Sequence, residues 1–400
     1  MTLAASSLTR VSRKVSARHC QQTLLAFFLA AFTISCDEKR QSQNVESRPK
    51  RFQTVTINNI EPRRDVAGEI IDAHDGCLQF FKGRFYLYGT AYGKTDGLTN
   101  NSYHVYSSPD LERWTLEGEL LKERPDGIYF RPYVVFNPNT RKYVLWYNWY
   151  SNSVPWIGHD GVAISDTPIG PFKIVNSNAQ LAHASPGDGS LFVDDDGTGY
   201  FIYTAMGEGY TIQVERLTPD YLGSSGEISS ILAAAGEAPV LFRRNNLYYA
   251  LSGPRCAFCP WGSEVQVFTA TSPLGPFSTK PQWNINRRPQ YDVPTLFTQE
   301  TNGIKVPAPE GTFTLHPKNS TFINTNNLPI IPAQQTWVAR IPMSGEPLFI
   351  WMADRWESSP DGIKGHDFQF WSAPLKFSPD GDILPIENIG RWNITWAWGD

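Results

Sequence analysis

Apolar runs, polar turns and aromatic runs follow one another in a fixed order, and the unit is written five times along the chain. The first copy reads Cys77-Leu78-Gln79-Phe80-Phe81, then Lys82-Gly83, then Arg84-Phe85-Tyr86. It recurs around Tyr133 to Tyr143, Leu191 to Tyr200, Val240 to Tyr249 and Trp337 to Phe349. A second pattern ending in a proline turn follows each copy, as in Tyr106-Ser107-Ser108-Pro109-Asp110-Leu111 and Ala270-Thr271-Ser272-Pro273-Leu274-Gly275-Pro276-Phe277. Its prolines stand at 109, 168, 219, 273 and 374, with steps of 59, 51, 54 and 101. A repeat of roughly 50 residues holding four short strands is the mark of a β-propeller blade. The pattern therefore predicts an all-β chain folded as a five-bladed β-propeller.

Turn residues set the strand ends. Asp196-Gly197 is a hairpin signal before Tyr200-Phe201-Ile202-Tyr203. Asn137-Pro138-Asn139-Thr140 and Arg243-Arg244-Asn245-Asn246 act likewise. No long stretch keeps a helical period. The last proline step exceeds the others, so Pro281 to Pro332 reads as an insertion or long loop. Such loops often shape the pocket at a propeller mouth.

Composition narrows the class. The 400 residues are 41% hydrophobic and 13% aromatic, with 13 Trp, which suits aromatics buried between blades or lining a sugar site. The net charge of −4 gives no basic surface for nucleic acid. Arg10, Arg13, Lys14 and Arg18 precede the apolar stretch Leu24 to Ile34, which reads as a signal peptide too short to span a bilayer. Thr33-Ile34-Ser35-Cys36 resembles a bacterial lipoprotein cleavage site, with Thr33 where Leu is usual. Residues 1–36 are thus expected to be a leader, 37–60 a flexible tether, and 61–400 the propeller. Export follows, to the periplasm, to the outer membrane through a lipidated Cys36, or to the outside. Cys256 and Cys259 read as a short-loop disulfide or two thiols, and Cys77 as a small core residue. A monomer is expected.

Three carboxylates stand just before inner-strand apolar runs of different blades: Asp75, Asp188 and Glu237. Inner strands face the channel, so folding would gather these acids around one cavity. Converging acids repel, and at least one pKa should rise. Glycoside hydrolysis needs that arrangement: a protonated acid for the leaving oxygen and a carboxylate to activate water. Asp194-Asp195-Asp196 reads instead as a solvated hairpin tip, its ligands too close in sequence to wrap calcium alone.

These residues resemble glycoside hydrolase family 43, five-bladed propeller enzymes acting on arabinose-, xylose- and galactose-containing polysaccharides. The likeness covers about Ile70 to Asp400. It rests on Asp75-Gly76-Cys77-Leu78 through Thr90, on Asp188-Gly189-Ser190-Leu191-Phe192-Val193-Asp194-Asp195-Asp196-Gly197, and on Glu237-Ala238-Pro239. The first two have Gly where the family has Pro. The resemblance implies Asp75 as general base, Asp188 as the residue that tunes and orients the acid, and Glu237 as general acid, with inversion at the anomeric carbon. It implies no organic cofactor and at most a structural calcium ion. Within the family the chain looks most like the exo-β-1,3-galactanase branch, through Ala73-His74-Asp75-Gly76, Phe130-Arg131-Pro132, Ala333-Gln334-Gln335-Thr336-Trp337-Val338 and Met352-Ala353-Asp354-Arg355-Trp356. That branch typically has Gly at Asp75 and Glu at Phe130, and relies on a Gln near Gln334 or Gln335.

Six flanking positions are further candidates. His74 would hold Asp75, contact a sugar hydroxyl, or be a buried histidine satisfied by backbone. Arg131 would bind sugar hydroxyls, neutralise the acids or form an ion pair at the blade edge. Trp337 and Trp356 would stack on pyranose faces or pack between blades. Gln334 or Gln335 would donate and accept in the pocket. The expected function is an inverting exo-glycosidase acting on a polysaccharide or oligosaccharide, on the β-1,3-galactan or arabinogalactan side. An α-L-arabinofuranosidase or β-xylosidase of the same family and a non-catalytic carbohydrate-binding propeller are the alternatives. A sialidase would need an arginine triad that the sequence lacks at matching blade positions.

Overall fold

In the computed structural model the described residues are 51–94, 101–152, 157–234, 236–254, 265–284, 300–301, 304–305 and 331–398. The leader, Cys36, Cys256, Cys259 and most of the 281–332 segment lie outside them. Four antiparallel four-stranded sheets and one three-stranded sheet form five blades in chain order. Their inner strands are His74–Phe81, Gly127–Asn137, Pro186–Val193, Gly236–Arg244 and Gln334–Ile341. Each inner strand lies against those of the neighbouring blades, and the fifth meets the first, which closes the ring.

The aromatic content goes into the seams. Phe81 meets Tyr143 between blades one and two, and Trp146 meets Phe201 between two and three. Phe192 meets Tyr248, Phe242 meets Phe349, and Trp371 of blade five meets Trp114 of blade one. Ring centroids are 4.7–6.1 Å apart in these pairs, each contributing about 0.5–1.5 kcal/mol beyond its area burial. Strands such as Gly199–Ala205 are buried along their whole length, because a blade in the middle of the ring is covered on both faces. Cys77 is fully buried and free, as the reading of a small core residue requires.

A terminal strand pair fastens the ring. Arg51–Asn58 runs antiparallel to Arg391–Trp398, register Arg51↔Trp398 to Asn58↔Arg391. Trp396 stacks on Phe85 of blade one at 4.7 Å and 11°. The buried Asn59 amide donates to the carbonyls of Trp371 and Ile389, and its Oδ1 accepts the Trp371 N–H. The folded unit therefore begins about ten residues before the expected boundary at 61: residues 51–60 are structured, where a flexible tether was expected. Only two three-residue 3-10 turns, Met206–Glu208 and Lys364–His366, represent helix among the described residues.

Candidate active site

Every inner strand breaks register once, near its start. The shifts fall between His74 and Cys77, Phe130 and Tyr133, Pro186 and Gly189, Glu237 and Val240, and Gln335 and Trp337. A bulge inserts one unpaired residue and re-aims its side chain, which is why bulges gather beside active sites. In three of the five, the bulge holds a non-glycine residue in the left-handed region: Asp75 at φ 58°, Arg131 at φ 55° and Ala238 at φ 53°. Such residues cost on the order of 1–3 kcal/mol each and persist only when their surroundings fix them.

Two carboxylates fix two of them. The Asp75 N–H donates to Asp354 Oδ2 at 2.7 Å, and the Ala238 N–H donates to Asp188 Oδ2 at 3.0 Å. Each carboxylate also meets a cationic side chain. Arg131 Nη2 donates to Asp188 Oδ2 at 3.0 Å, and His74 Nδ1 lies 3.1 Å from Asp354 Oδ1. Gln335 links the remaining blades. Its Nε2 donates to the Ala238 carbonyl at 2.6 Å, its Oε1 accepts from Trp351 Nε1, and its own carbonyl accepts from Arg131 Nη1 at 3.1 Å. All five blades are thus tied at one end of the channel by hydrogen bonds among the residues that carry the candidate chemistry.

The charges are coupled. Asp75 is 4% exposed, and burial pushes its carboxyl up to about 6. The Arg131 guanidinium pulls it down, the negative charges of Asp354 and Asp188 push it up, and the Tyr92 hydroxyl, which donates to Asp75 Oδ2, pulls it down. His74 is fully buried, which alone disfavours the imidazolium. The Asp354 carboxylate, Asp72 and the Gly365 carbonyl outweigh burial and raise it to about 9. Both ring nitrogens face acceptors, Nδ1 toward Asp354 and Nε2 toward the Gly365 carbonyl at 3.2 Å, so the doubly protonated ring satisfies both. Burial, then the carboxylates of Asp188, Asp160 and Glu237, raise the buried Tyr150 hydroxyl well above its ordinary value. One patch therefore feels all three carboxylates expected from sequence.

Their positions are not equivalent, as the sequence had implied. Asp75 is itself the left-handed residue, whereas Glu237 stands one residue before its left-handed neighbour Ala238. Arg131 neutralises the acids. The His74 ring nitrogens face Asp354 Oδ1 and the Gly365 carbonyl rather than the Asp75 carboxylate. His74 is held by Asp354 and backbone, closest to the buried reading. The indoles are placed otherwise than as platforms for sugar. Trp356 is 2% exposed, donates Nε1 to Gln334 Oε1 at 2.7 Å, and packs on His74 and Tyr92 with Lys364 Nζ 4.0 Å from its ring centre. Trp337 is buried against Tyr133 and lines a separate cavity of about 560 Å³ further along the inner strands, with Phe81, Phe136, Phe192 and Phe242. Gln335 is fully buried in the inter-blade network, and Gln334 serves Trp356. Asp194, expected to be solvated, is paired with Arg243 at 2.7 Å and accepts from Tyr248 at 2.5 Å. Among the described residues no group of three or more His, Cys, Asp or Glu is arranged to hold a metal.

Four residues of the site escaped sequence reading: Asp354, Tyr92, Tyr150 and Lys364. Asp354 lay within a segment already singled out, Met352 to Trp356, but nothing in its spacing ties it to Asp75. Tyr92, Ile128, Phe130, Tyr150 and Trp356 form an apolar cluster of their own, apart from the main core, with Met206 against it. Phe130 packs against Tyr92 and Tyr150.

Residues 71–324 match the model of glycosyl hydrolases family 43. The chain belongs to this family. It is 27% identical over 286 residues to an arabinoxylan arabinofuranohydrolase of Bacillus subtilis, covering 57% of this chain and 54% of that one. It is 26% identical over 232 residues to a β-D-galactofuranosidase of Aspergillus niger, covering 52% and 64%. The chain spans about half the length of the curated relatives it matches. Its fold is that of a family 43 β-1,3-galactosidase structure, with TM-score 0.65, 24% identity, and coverage of 86% of this chain and 64% of that one. It is likewise that of the exo-β-1,3-galactanase from Phanerochaete chrysosporium, with TM-score 0.64, 22% identity, and coverage of 85% and 68%.

The two departures from the family motif have a steric reason. A Cβ on Gly76 would lie 1.8 Å from the Tyr88 carbonyl oxygen, and one on Gly189 would lie 2.3 Å from the Phe201 ring. Pro is excluded at the first by backbone and at the second by the aromatic seam.

Proposed function

We propose that this family 43 protein is an inverting exo-glycosidase that releases terminal sugar from β-1,3-galactan or arabinogalactan. One observation carries the reading: Asp75 and Asp188 stand in one hydrogen-bonded ring at the bulged starts of inner strands, and Glu237 directly precedes Ala238 of that ring. In the proposed reaction Glu237 protonates the glycosidic oxygen while Asp75 takes a proton from water on the opposite face of the sugar. Water attack inverts the anomeric carbon. A carboxyl near 6 is a competent base at neutral pH, mostly ionised yet more basic than an ordinary aspartate. Asp188 holds the Ala238 N–H beside Glu237 and so fixes the acid's backbone. Support for galactan comes from fold likeness to β-1,3-galactosidases and galactanases. The curated relatives named for arabinofuranose release favour an arabinofuranosidase as the second reading. The leader motif supports export, with or without a lipid on Cys36.

The test is product release from β-1,3-galactan, arabinogalactan, arabinan and xylan, with Glu237→Gln as control. Galactose from the first substrate, lost in the control, supports the proposal. Arabinose or xylose release keeps the mechanism and moves the substrate. Binding without release of any sugar overturns catalysis in favour of a carbohydrate-binding propeller.

A further inference from the structure

The channel mouth contains the same device twice. On the acid side, Asp188 accepts from the N–H of the left-handed residue Ala238 and from the buried cation Arg131. On the base side, Asp354 accepts from the N–H of the left-handed residue Asp75 and faces the buried imidazole of His74. Both carboxylates belong to a blade adjoining the one whose bulge they clamp. Both join a strained backbone amide to a positive charge. From this repetition we propose that Asp354 is the positioning residue of the general base, the counterpart of what Asp188 is for the general acid. The inference rests on the glycosidase reading given above.

The physical argument has two parts. Asp75 must keep φ near 58° for its carboxyl to stay in the site, a conformation that a non-glycine residue leaves unless held. Asp354 Oδ2 supplies a charge-assisted hydrogen bond at 2.7 Å, about twice as strong as a neutral one. Asp354 is 2% exposed, so water does not compete for it. Its second oxygen faces His74, whose other ring nitrogen is anchored on the Gly365 carbonyl. The blade-five loop around Gly365 is thereby tied to the base through two residues. The arrangement also accounts for an aspartate held at a backbone conformation that favours glycine. An added side chain there needs a clamp, and Asp354 with the Tyr92 hydroxyl on Asp75 Oδ2 provides one.

Asp354 also acts on the base through space. The groups that face Asp75 are Arg131 and Asp188 from blades two and three, Asp354 and Lys364 from blade five, and Tyr92 from blade one, with His74 preceding it in sequence. Arg131 and the Tyr92 bond favour the ionised carboxyl, and Asp354 and Asp188 oppose it.

The experiment compares the full chain with Asp354→Asn and Asp188→Asn on the sugar polymer that the wild type cleaves. kcat and KM are measured from pH 4 to 9, thermal unfolding serves as the folding check, and the His74 imidazole is followed by NMR. The amide keeps the size of Asp354 and an acceptor for the Asp75 N–H but loses the charge. Expected for Asp354→Asn is a kcat lowered about a hundredfold with KM within about twofold. The acid limb of kcat/KM moves to lower pH, because one charge that raises Asp75 is gone. The His74 titration falls from near 9 toward its ordinary range. Asp188→Asn should leave the His74 titration in place. A folded Asp354→Asn with wild-type kcat and acid limb overturns the proposal while leaving the glycosidase reading intact. So does a change in KM alone. A wild type that binds the polymers and releases no sugar overturns the glycosidase reading and, with it, this one. If Asp354→Asn does not fold, Asp354→Glu decides. A folded Glu variant with a displaced acid limb supports the proposal, and one with the wild-type profile overturns it.

Discussion

The Arg131 guanidinium and the Asp188 carboxylate meet at 3.0 Å across blades two and three, with Arg131 3% exposed and Asp188 22%. Burial lowers the guanidinium's proton affinity, but Asp188, Tyr133 and Asp75 outweigh it and keep the cation charged. Arg131→Ala should cost about 3 kcal/mol, since it leaves a partly buried carboxylate without its cation. Arg131→Lys should recover only part of this, because one ammonium cannot serve both Asp188 and the Gln335 carbonyl as the fork does. Urea unfolding of the two variants checks it, and an Arg131→Ala protein as stable as wild type refutes it.

Tyr92 donates to Asp75 Oδ2, and this bond lowers the Asp75 pKa. Tyr92→Phe removes it, so the Asp75 carboxyl should rise above its value of about 6. The base must be ionised to act, so the acid limb of kcat/KM should move to higher pH. Activity at pH 5 should fall more than activity at pH 8. A pH–rate profile superimposable on that of wild type would exclude Tyr92 from control of the base.

His74 makes stability depend on pH in a separate window. Its folded pKa of about 9 lies above its ordinary 6.5. The stabilisation is complete below pH 6.5 and is lost as pH rises through about 9, to a total of about 3 kcal/mol. Asp75, also raised, acts lower: its ionisation removes stability as pH climbs from 3.8 to about 6. Wild-type stability should therefore decline between pH 6.5 and 9, and His74→Gln should flatten that decline. Parallel curves for the two proteins across that window would rule the imidazolium out.

Gly76→Pro would restore the family motif in sequence and should fail in structure. The new Cβ would meet the Tyr88 carbonyl at 1.8 Å, and backbone on a paired strand cannot move aside. Destabilisation of about 3 kcal/mol or more is expected. Gly76→Ala should suffer as well, through the same atom. Soluble Gly76→Pro protein with wild-type thermal stability would contradict the close approach.

The repeat was legible because each blade spells its own strands and turns. The hairpins at Asn137–Thr140 and Asp196–Gly197 lie where the turn chemistry placed them, between strands that the alternation marked. The places of Asp75, Asp188 and Glu237 on the inner strands were legible because each precedes an apolar run. Trp337 and Trp356 were not, since a tryptophan's sequence neighbours do not say whether its faces meet protein or solvent. Asp194 misled for a related reason. It stands in an acidic hairpin, and its partners Arg243 and Tyr248 come from the next blade.

The sequence by itself determined the period, the number of blades, the all-β class and the places of Asp75, Asp188 and Glu237 near the starts of inner strands, because these depend on local alternation, turn residues and spacing. The tertiary structure decided what those residues do to one another. It alone set Asp354 on the Asp75 amide, the Tyr92 hydroxyl on the Asp75 carboxylate and Arg131 on Asp188. Asp354 and Asp75 are 279 residues apart and belong to the last and first blades. Closing the ring brings them together, and with that closure burial and charge raise Asp75 to about 6.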